Sequence, residues 1–148
     1  MRIVLATGNK GKIEEIRDLL QDLDPDLQVW GMNEFSNLGP IPEPGETFQD
    51  NALYKARFVC RHSRLISLAD DSGLEVDALD GAPGIYSARF SGEQASDADN
   101  NAKLLKAMAE FKGKHRRARF RCVLAACAPN GAELTVEGSW EGLIADTP

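Results

Sequence analysis

The chain is poor in the residues that build metal cages and disulfide frameworks. Cys60, Cys122 and Cys127 are odd in number and His62 and His115 stand alone, and none of them has zinc-ligand spacing. The thiols fit a reduced, cytoplasmic core, and the two histidines read as surface residues. Long apolar runs are missing as well. None approaches the ~20 residues that a membrane-spanning helix requires. The first apolar stretch, Ile3 to Ala6, is too short for a secretory leader, so no membrane partner is expected. A basic excess is also lacking. The net charge of −6 argues against a generic nucleic-acid binder, and no stable nucleic-acid complex is expected. There is no internal repeat and no low-complexity tract. At 148 residues, one domain over 1–148 would bury roughly 70% of the surface that its unfolded chain exposes.

What the chain does have is alternation of strand and helix patterns. Arg2 to Thr7 reads as a short apolar strand. Ile13, Ile16, Leu19, Leu20 and Leu23 then recur at helical spacing as one apolar face. Thr47 with Asp50 caps a helix running to about Ser63, with Ala52, Ala56, Val59 and Cys60 facing inward. Leu65, Ile66 and Leu68 read as a buried strand, and Leu74 to Leu79 as another, ending at a turn over Gly81 to Gly84. Ser96 with Asp99 opens a helix whose buried stripe is Leu104, Leu105, Met108 and Phe111. Ala118, Phe120, Cys122 and Leu124 alternate with Arg117, Arg119, Arg121 and Val123, and Asn130-Gly131 turns this strand into a hairpin. The expected fold is mixed α/β, with a long, partly antiparallel sheet and flanking helices. Trp30 and Trp140 read as packing residues. His115-Arg116-Arg117 with Arg119 and Arg121 reads as a solvated sheet face rather than a nucleic-acid stripe.

Two segments point to chemistry. Ser67-Leu68-Ala69-Asp70-Asp71-Ser72-Gly73 delivers two adjacent carboxylates from an apolar strand onto a Ser-Gly turn. Neighbouring side chains on an extended chain point to opposite sides, so one acid can enter a site while the other braces it. Rigid, oxygen-rich corners of this kind suit hard cations and water activation, although Asp, Ser and Gly are also ordinary turn residues. The second segment is Thr7-Gly8-Asn9-Lys10-Gly11-Lys12, a glycine-containing loop between a strand and a helix N-terminus. Free N–H groups and the helix dipole favour an anion there, with Lys12 at the mouth. It is not a Walker A loop, since the glycine spacing and the following Ser or Thr are absent.

Four blocks in order give the chain a recognisable signature. They are Thr7-Gly8-Asn9-Lys10-Gly11-Lys12; Glu46-Thr47-Phe48-Gln49-Asp50-Asn51-Ala52 with Lys55-Ala56-Arg57; Ala69-Asp70-Asp71-Ser72-Gly73-Leu74; and Leu79 through Gly92. With them the sequence resembles the inosine/xanthosine triphosphate pyrophosphatase family, hydrolases of noncanonical purine nucleoside triphosphates, over residues 1 to about 145. The resemblance implies an ITPase-like fold of two lobes with a central cleft, a homodimer, and hydrolysis of ITP, dITP and XTP to the monophosphate and pyrophosphate. The implied reaction would keep such nucleotides out of DNA and RNA. Family members continue past Gly142 with an aromatic-Gly-aromatic-Asp-Pro motif and a Ser-His-Arg motif. The chain is therefore expected to be C-terminally incomplete relative to the family, with weakened base selection.

The resemblance also implies roles. Mg²⁺, one ion per subunit, falls to Glu43 and Asp71, with Asp70 as an additional ligand or a brace for one. Glu43 sits among Pro40, Pro42 and Pro44, which restrict its segment. Thr7, Gly8, Asn9, Lys10, Gly11 and Lys12, together with Lys55 and Ser72, are expected to hold the substrate, and Asp71 is the expected catalytic base. A triphosphate carries about four negative charges, so positioning and charge stabilisation dominate its chemistry. Two other readings stay open here: a nucleotide-binding fragment with little or no turnover, and a nucleic-acid module built on the arginine strand.

Overall fold

The computed structural model describes residues 1–34 and 38–148. Strands β1 (Arg2–Leu5), β2 (Gln28–Gly31), β3 (Ile66–Val76), β4 (Arg117–Cys127) and β5 (Glu133–Leu143) form one mixed sheet in the order β2-β1-β3-β4-β5. Helices α1 (Lys10–Leu23), α2 (Phe48–Ser63) and α3 (Asp97–Ala107) flank it. The chain divides into two compact units, Met1–Asp71 with Val123–Val136, and Ser72–Cys122 with Glu137–Pro148.

In the first unit β1 lies between two parallel neighbours, with Ile3 opposite Val29 on β2 and Ile66 on β3. A strand covered on both faces has to be apolar throughout. Val4 and Leu5 are accordingly buried, and Leu5, Ile13, Leu27 and Val29 make the core that Ile3, Ile16, Leu20 and Leu68 flank. Burying each such side chain is worth about 1.5–3 kcal/mol. The apolar face of α1 is narrower than its sequence spacing implies. Ile13 is buried and Ile16 and Leu20 half-buried, but Leu19 and Leu23 are exposed. The caps follow the sequence reading. The Thr47 hydroxyl accepts the Asp50 N–H, and Phe48, Asn51, Ala52, Ala56, Val59 and Cys60 are the buried face of α2.

The largest local correction falls on β3. Asp70-Asp71-Ser72-Gly73 is not a turn; the strand runs through it without a break. Its buried side is Ser67, Ala69, Asp71 and Gly73, whereas Ile66 and Leu68 are half-buried. Ser67 is tolerated inside because its hydroxyl donates to the Ala56 carbonyl on α2. Past Val76 the chain leaves the strand for a 3₁₀ turn at Asp77–Leu79, three residues earlier than the alternation suggests.

The second unit packs Val76, Leu104, Met108 and Ala118 together with Leu74, Leu79, Phe90 and Phe111. Ser96 and Asp99 form a reciprocal capping box at the start of α3. Two expectations fail here. Trp140 is 81% exposed and Phe120 64% exposed, so neither is a packing residue of this unit. The arginine strand is a solvated face only in part: His115 and Arg117 are exposed, whereas Arg119 and Arg121 are half-buried and ion-paired. Arg119 pairs with Asp77 at 2.7 Å and lies 3.1 Å from Glu141, and Arg121 pairs with Glu137 at 2.6 Å and Glu75 at 3.3 Å.

Arg116 departs furthest from that expectation. It is buried, and its guanidinium donates to the carbonyls of Met108, Phe111, Ile144 and Ala145 at 2.6–3.1 Å. A planar fork can reach four acceptors at once, whereas a lysine ammonium has three donors on one point. Arg116→Lys should therefore leave carbonyls unpaired and destabilise the fold by about 1–3 kcal/mol for each buried group orphaned. Urea unfolding followed by tryptophan fluorescence measures this. An unchanged midpoint would show that these bonds contribute nothing.

Candidate functional site

The parallel part of the sheet places the two chemistry-bearing segments side by side. β3 pairs with β1 only as far as Leu68, and the Ala6 N–H closes the ladder on the Leu68 carbonyl at 2.8 Å. β1 then leaves the sheet as the Thr7–Lys12 loop, while β3 continues into Asp70 and Asp71. Both segments thus lie just past the carboxyl end of the parallel β1–β3 ladder, the side on which open α/β sheets bind ligands.

The loop is shaped by its own side chains. Asn9 caps α1, its Oδ1 accepting the Lys12 N–H at 3.2 Å, and the Thr7 hydroxyl accepts the Asn9 N–H at 3.2 Å. Among the described residues, the N–H groups of Lys10 and Gly11 at the first helical turn have no partner. They are the donors left for an anion, and Gly8 and Lys10 are exposed beside them. Lys12 reaches back from this turn to Asp70, with Nζ 2.6 Å from Oδ2.

Asp71, on the other side of β3, joins a second cluster. Lys55 Nζ lies 2.7 Å from Glu43 Oε1 and 3.3 Å from Asp71 Oδ1, and its side chain is only 12% exposed. Asn51, one turn before Lys55 on α2, donates from Nδ2 to Asp71 Oδ2 at 3.2 Å and accepts the Gly45 N–H at 2.7 Å. Gly45 has to be glycine. A Cβ there would stand 2.6 Å from Asp50 Cβ and 2.7 Å from Asn51 Oδ1.

Burial pushes the Asp71 carboxyl up from its ordinary range. The Lys55 ammonium and the Asn51 amide pull it down without cancelling that rise, and Glu43 adds to it. Burial pulls Lys55 down, but the hydrogen bond to Glu43 and the charges of Asp71, Glu43 and Asp70 outweigh it, so Lys55 is raised and charged. Both move upward for different reasons: burial outweighs the Lys55 charge at Asp71, and the surrounding carboxylates outweigh burial at Lys55. Elsewhere in this unit, burial and a hydrogen bond with Cys127 push the Cys60 thiol up to about 11, which disqualifies it as a nucleophile near neutrality.

The expected site residues therefore fall into two groups: Glu43, Lys55 and Asp71 in one, and the Thr7–Lys12 loop with Asp70 in the other. Ser72 is exposed and bonds to no member of either group among the described residues. Asn51 and Gly45 had no assigned role in the sequence. The signal for Asn51 was an amide standing among Phe48, Ala52, Ala56 and Val59 on an otherwise apolar helix face.

The family model described as Ham1 matches residues 3–148. The chain belongs to the Ham1 family. It is 51% identical over 144 residues to a dITP/XTP pyrophosphatase of Desulforamulus reducens, covering 97% of this chain and 71% of the relative. It is 47% identical over 147 residues to a dITP/XTP pyrophosphatase of Geobacter sulfurreducens, covering 99% and 73%. Among solved structures, a HAM1 protein of Coxiella burnetii superposes with a TM-score of 0.90 at 41% identity over 100% of this chain and 75% of its own. The Staphylococcus aureus Ham1 protein does so with a TM-score of 0.88 at 39% identity, over 99% and 73%. The mixed α/β sheet of this Ham1 chain is thus the sheet of its relatives. No helix among the described residues is long and apolar enough to cross a membrane.

A hard cation can be accommodated in the second cluster. Among the described residues no three His, Cys, Asp or Glu side chains form a ready-made cage. Glu43 and Asp71 nonetheless converge on one positively charged atom, the Lys55 nitrogen, which marks a position where two carboxylates stabilise a cation. Two carboxylates with water and phosphate oxygens are the usual donor set for Mg²⁺.

Proposed function

We infer that this chain is a hydrolase of noncanonical purine nucleoside triphosphates such as dITP and XTP, releasing the monophosphate and pyrophosphate. The observation that carries the reading is the Glu43–Lys55–Asp71 cluster in a chain about half identical to dITP/XTP pyrophosphatases. Asp71 takes a proton from the attacking water. The water oxygen bonds to phosphorus as the α–β anhydride bond breaks, and pyrophosphate leaves with the bridging oxygen. The raised affinity of Asp71 for a proton suits a base, and its bond to Asn51 leaves Oδ1 as the oxygen facing Lys55. Lys55 and Lys12 neutralise phosphate charge, and the Lys10 and Gly11 N–H groups, framed by Thr7, Gly8 and Asn9, receive phosphate oxygens.

Glu43 and Asp71 would hold one Mg²⁺ per subunit, which when bound offsets the charge of the triphosphate. Asp70, already bonded to Lys12, braces the loop in this reading. The homodimer, the cytoplasmic location and the absence of a stable nucleic-acid complex belong to the same proposal. The net charge of −6, the free cysteines and the ion-paired Arg119 and Arg121 support it.

The test is pyrophosphate release from dITP, XTP, dGTP and dATP with Mg²⁺. Turnover of dITP and XTP is expected, and its ratio to that of dGTP and dATP measures base selection. Equal rates on all four would remove the base preference, and no release from any would remove the hydrolase.

A further inference from the structure

Asn51 is fully buried on the inward face of α2, at 0% exposure. A buried amide is destabilising unless both of its ends are bonded. Here the carbonyl end accepts the Gly45 N–H at 2.7 Å, and the amino end donates to Asp71 Oδ2 at 3.2 Å. Only one orientation works. A flipped amide would set oxygen against the Asp71 carboxylate and N–H against N–H.

These two bonds join the same two segments that Lys55 joins. Gly45 lies two residues after Glu43, pressed so closely against the first turn of α2 that a Cβ would overlap it. Asp71 sits on β3. Lys55 bridges the two acids with a long, charged side chain, whereas Asn51 bridges the Gly45 backbone and the Asp71 carboxylate with a short, neutral one. We propose that Asn51 is a positioning residue. It holds the Glu43 segment and Asp71 in register when Lys55 turns toward a phosphate, and by occupying Oδ2 it presents Oδ1 to the cation and the water. The inference rests on the hydrolase reading above.

The experiment compares Asn51→Ala, Asn51→Asp and Val59→Ala with the unaltered protein. Val59 is fully buried on the same helix and has no polar contact, so Val59→Ala gives a matched loss of packing. Thermal melts define conditions in which every variant is folded. Under those conditions the readouts are kcat and KM for dITP, and the dissociation constant of Mn²⁺ from water-proton relaxation without nucleotide.

Both Asn51 variants should lose about 10–100-fold in kcat and weaken Mn²⁺ by a similar factor, as is typical when a group that orients a ligand is removed. KM for dITP should barely change, because the phosphate loop is untouched. Asn51→Asp should be the worse of the two, since it sets a second carboxylate against Asp71. Val59→Ala should melt earlier yet keep both kcat and Mn²⁺ affinity. The proposal is overturned if the Asn51 variants match the unaltered protein per folded molecule, or if Val59→Ala loses as much. An unaltered protein that hydrolyses no triphosphate would count against the hydrolase reading instead. The Mn²⁺ comparison would then still decide the role of Asn51.

Discussion

Replacing Asp71 by Asn should lower triphosphate turnover by about 10²–10⁴-fold, the range for loss of a positioned general base. The substitution keeps volume and shape in a tightly packed place. Its amide oxygen can still receive the Asn51 Nδ2–H, so that end of the contact survives. What is lost is the other oxygen. An amide nitrogen there cannot take a proton from water, cannot ligate a cation, and meets the Lys55 ammonium donor to donor. Stability should not fall with activity, because a neutral amide is less costly to bury than a carboxylate. Steady-state pyrophosphate release and a thermal melt on the same preparation separate the two effects. If Asp71→Asn hydrolyses dITP near the original rate, Asp71 is not the base.

Lys55→Met should have the next largest effect. Methionine follows the path of the lysine stem through its half-buried surroundings, and only the ammonium disappears. Glu43 and Asp71 then face each other without the cation that both of them contact at 2.7 and 3.3 Å. In the proposed reading, the phosphate groups then lose one positive charge in a site partly shielded from water. Removal of one preorganised stabilising group of this kind lowers kcat by about 10²–10³-fold. KM should rise too, since the charge acts on the bound triphosphate before the transition state. Lys55→Arg should not restore activity, because a planar guanidinium cannot occupy the single-atom position between the two carboxylates. Full activity in Lys55→Met, or rescue by Lys55→Arg, would place phosphate neutralisation elsewhere, with Lys12 the next candidate.

The parts of this fold that were legible in the sequence are those decided locally. The Thr47 and Ser96 caps, the inward face of α2 and the Asn130-Gly131 hairpin depend on residues within one turn of each other. β3 shows where that fails. Asp-Ser-Gly composition favours a turn, but the strand takes its conformation from neighbouring strands, and sheet pairing overrides the local preference. Its buried side is the one with Ser67 and Asp71, because α2 supplies the Ala56 carbonyl for the first and Asn51 for the second. Polar atoms become interior only once their partners are known, and those lie 11 and 20 positions away in the chain. The same reason hid Arg116, whose four acceptors come from two separate segments. Glu43, Lys55 and Asp71 were candidates from the family resemblance, and their meeting at one nitrogen is a tertiary fact.

α2 also fixes a distance. Asn51 and Lys55 stand four residues apart on a continuous helix, so their backbones are about 6 Å apart along its axis. One residue inserted between them would swing Lys55 about 100° around the helix, away from Glu43 and Asp71. One residue deleted would turn it as far the other way. Substitutions at exposed Tyr54 or Arg57 leave that spacing alone, and the exposed hairpin tip at Pro129-Asn130-Gly131 can lengthen without disturbing it. Over the course of descent, then, the stretch from Asn51 to Lys55 is free to change its letters on the outer face but not its number of residues.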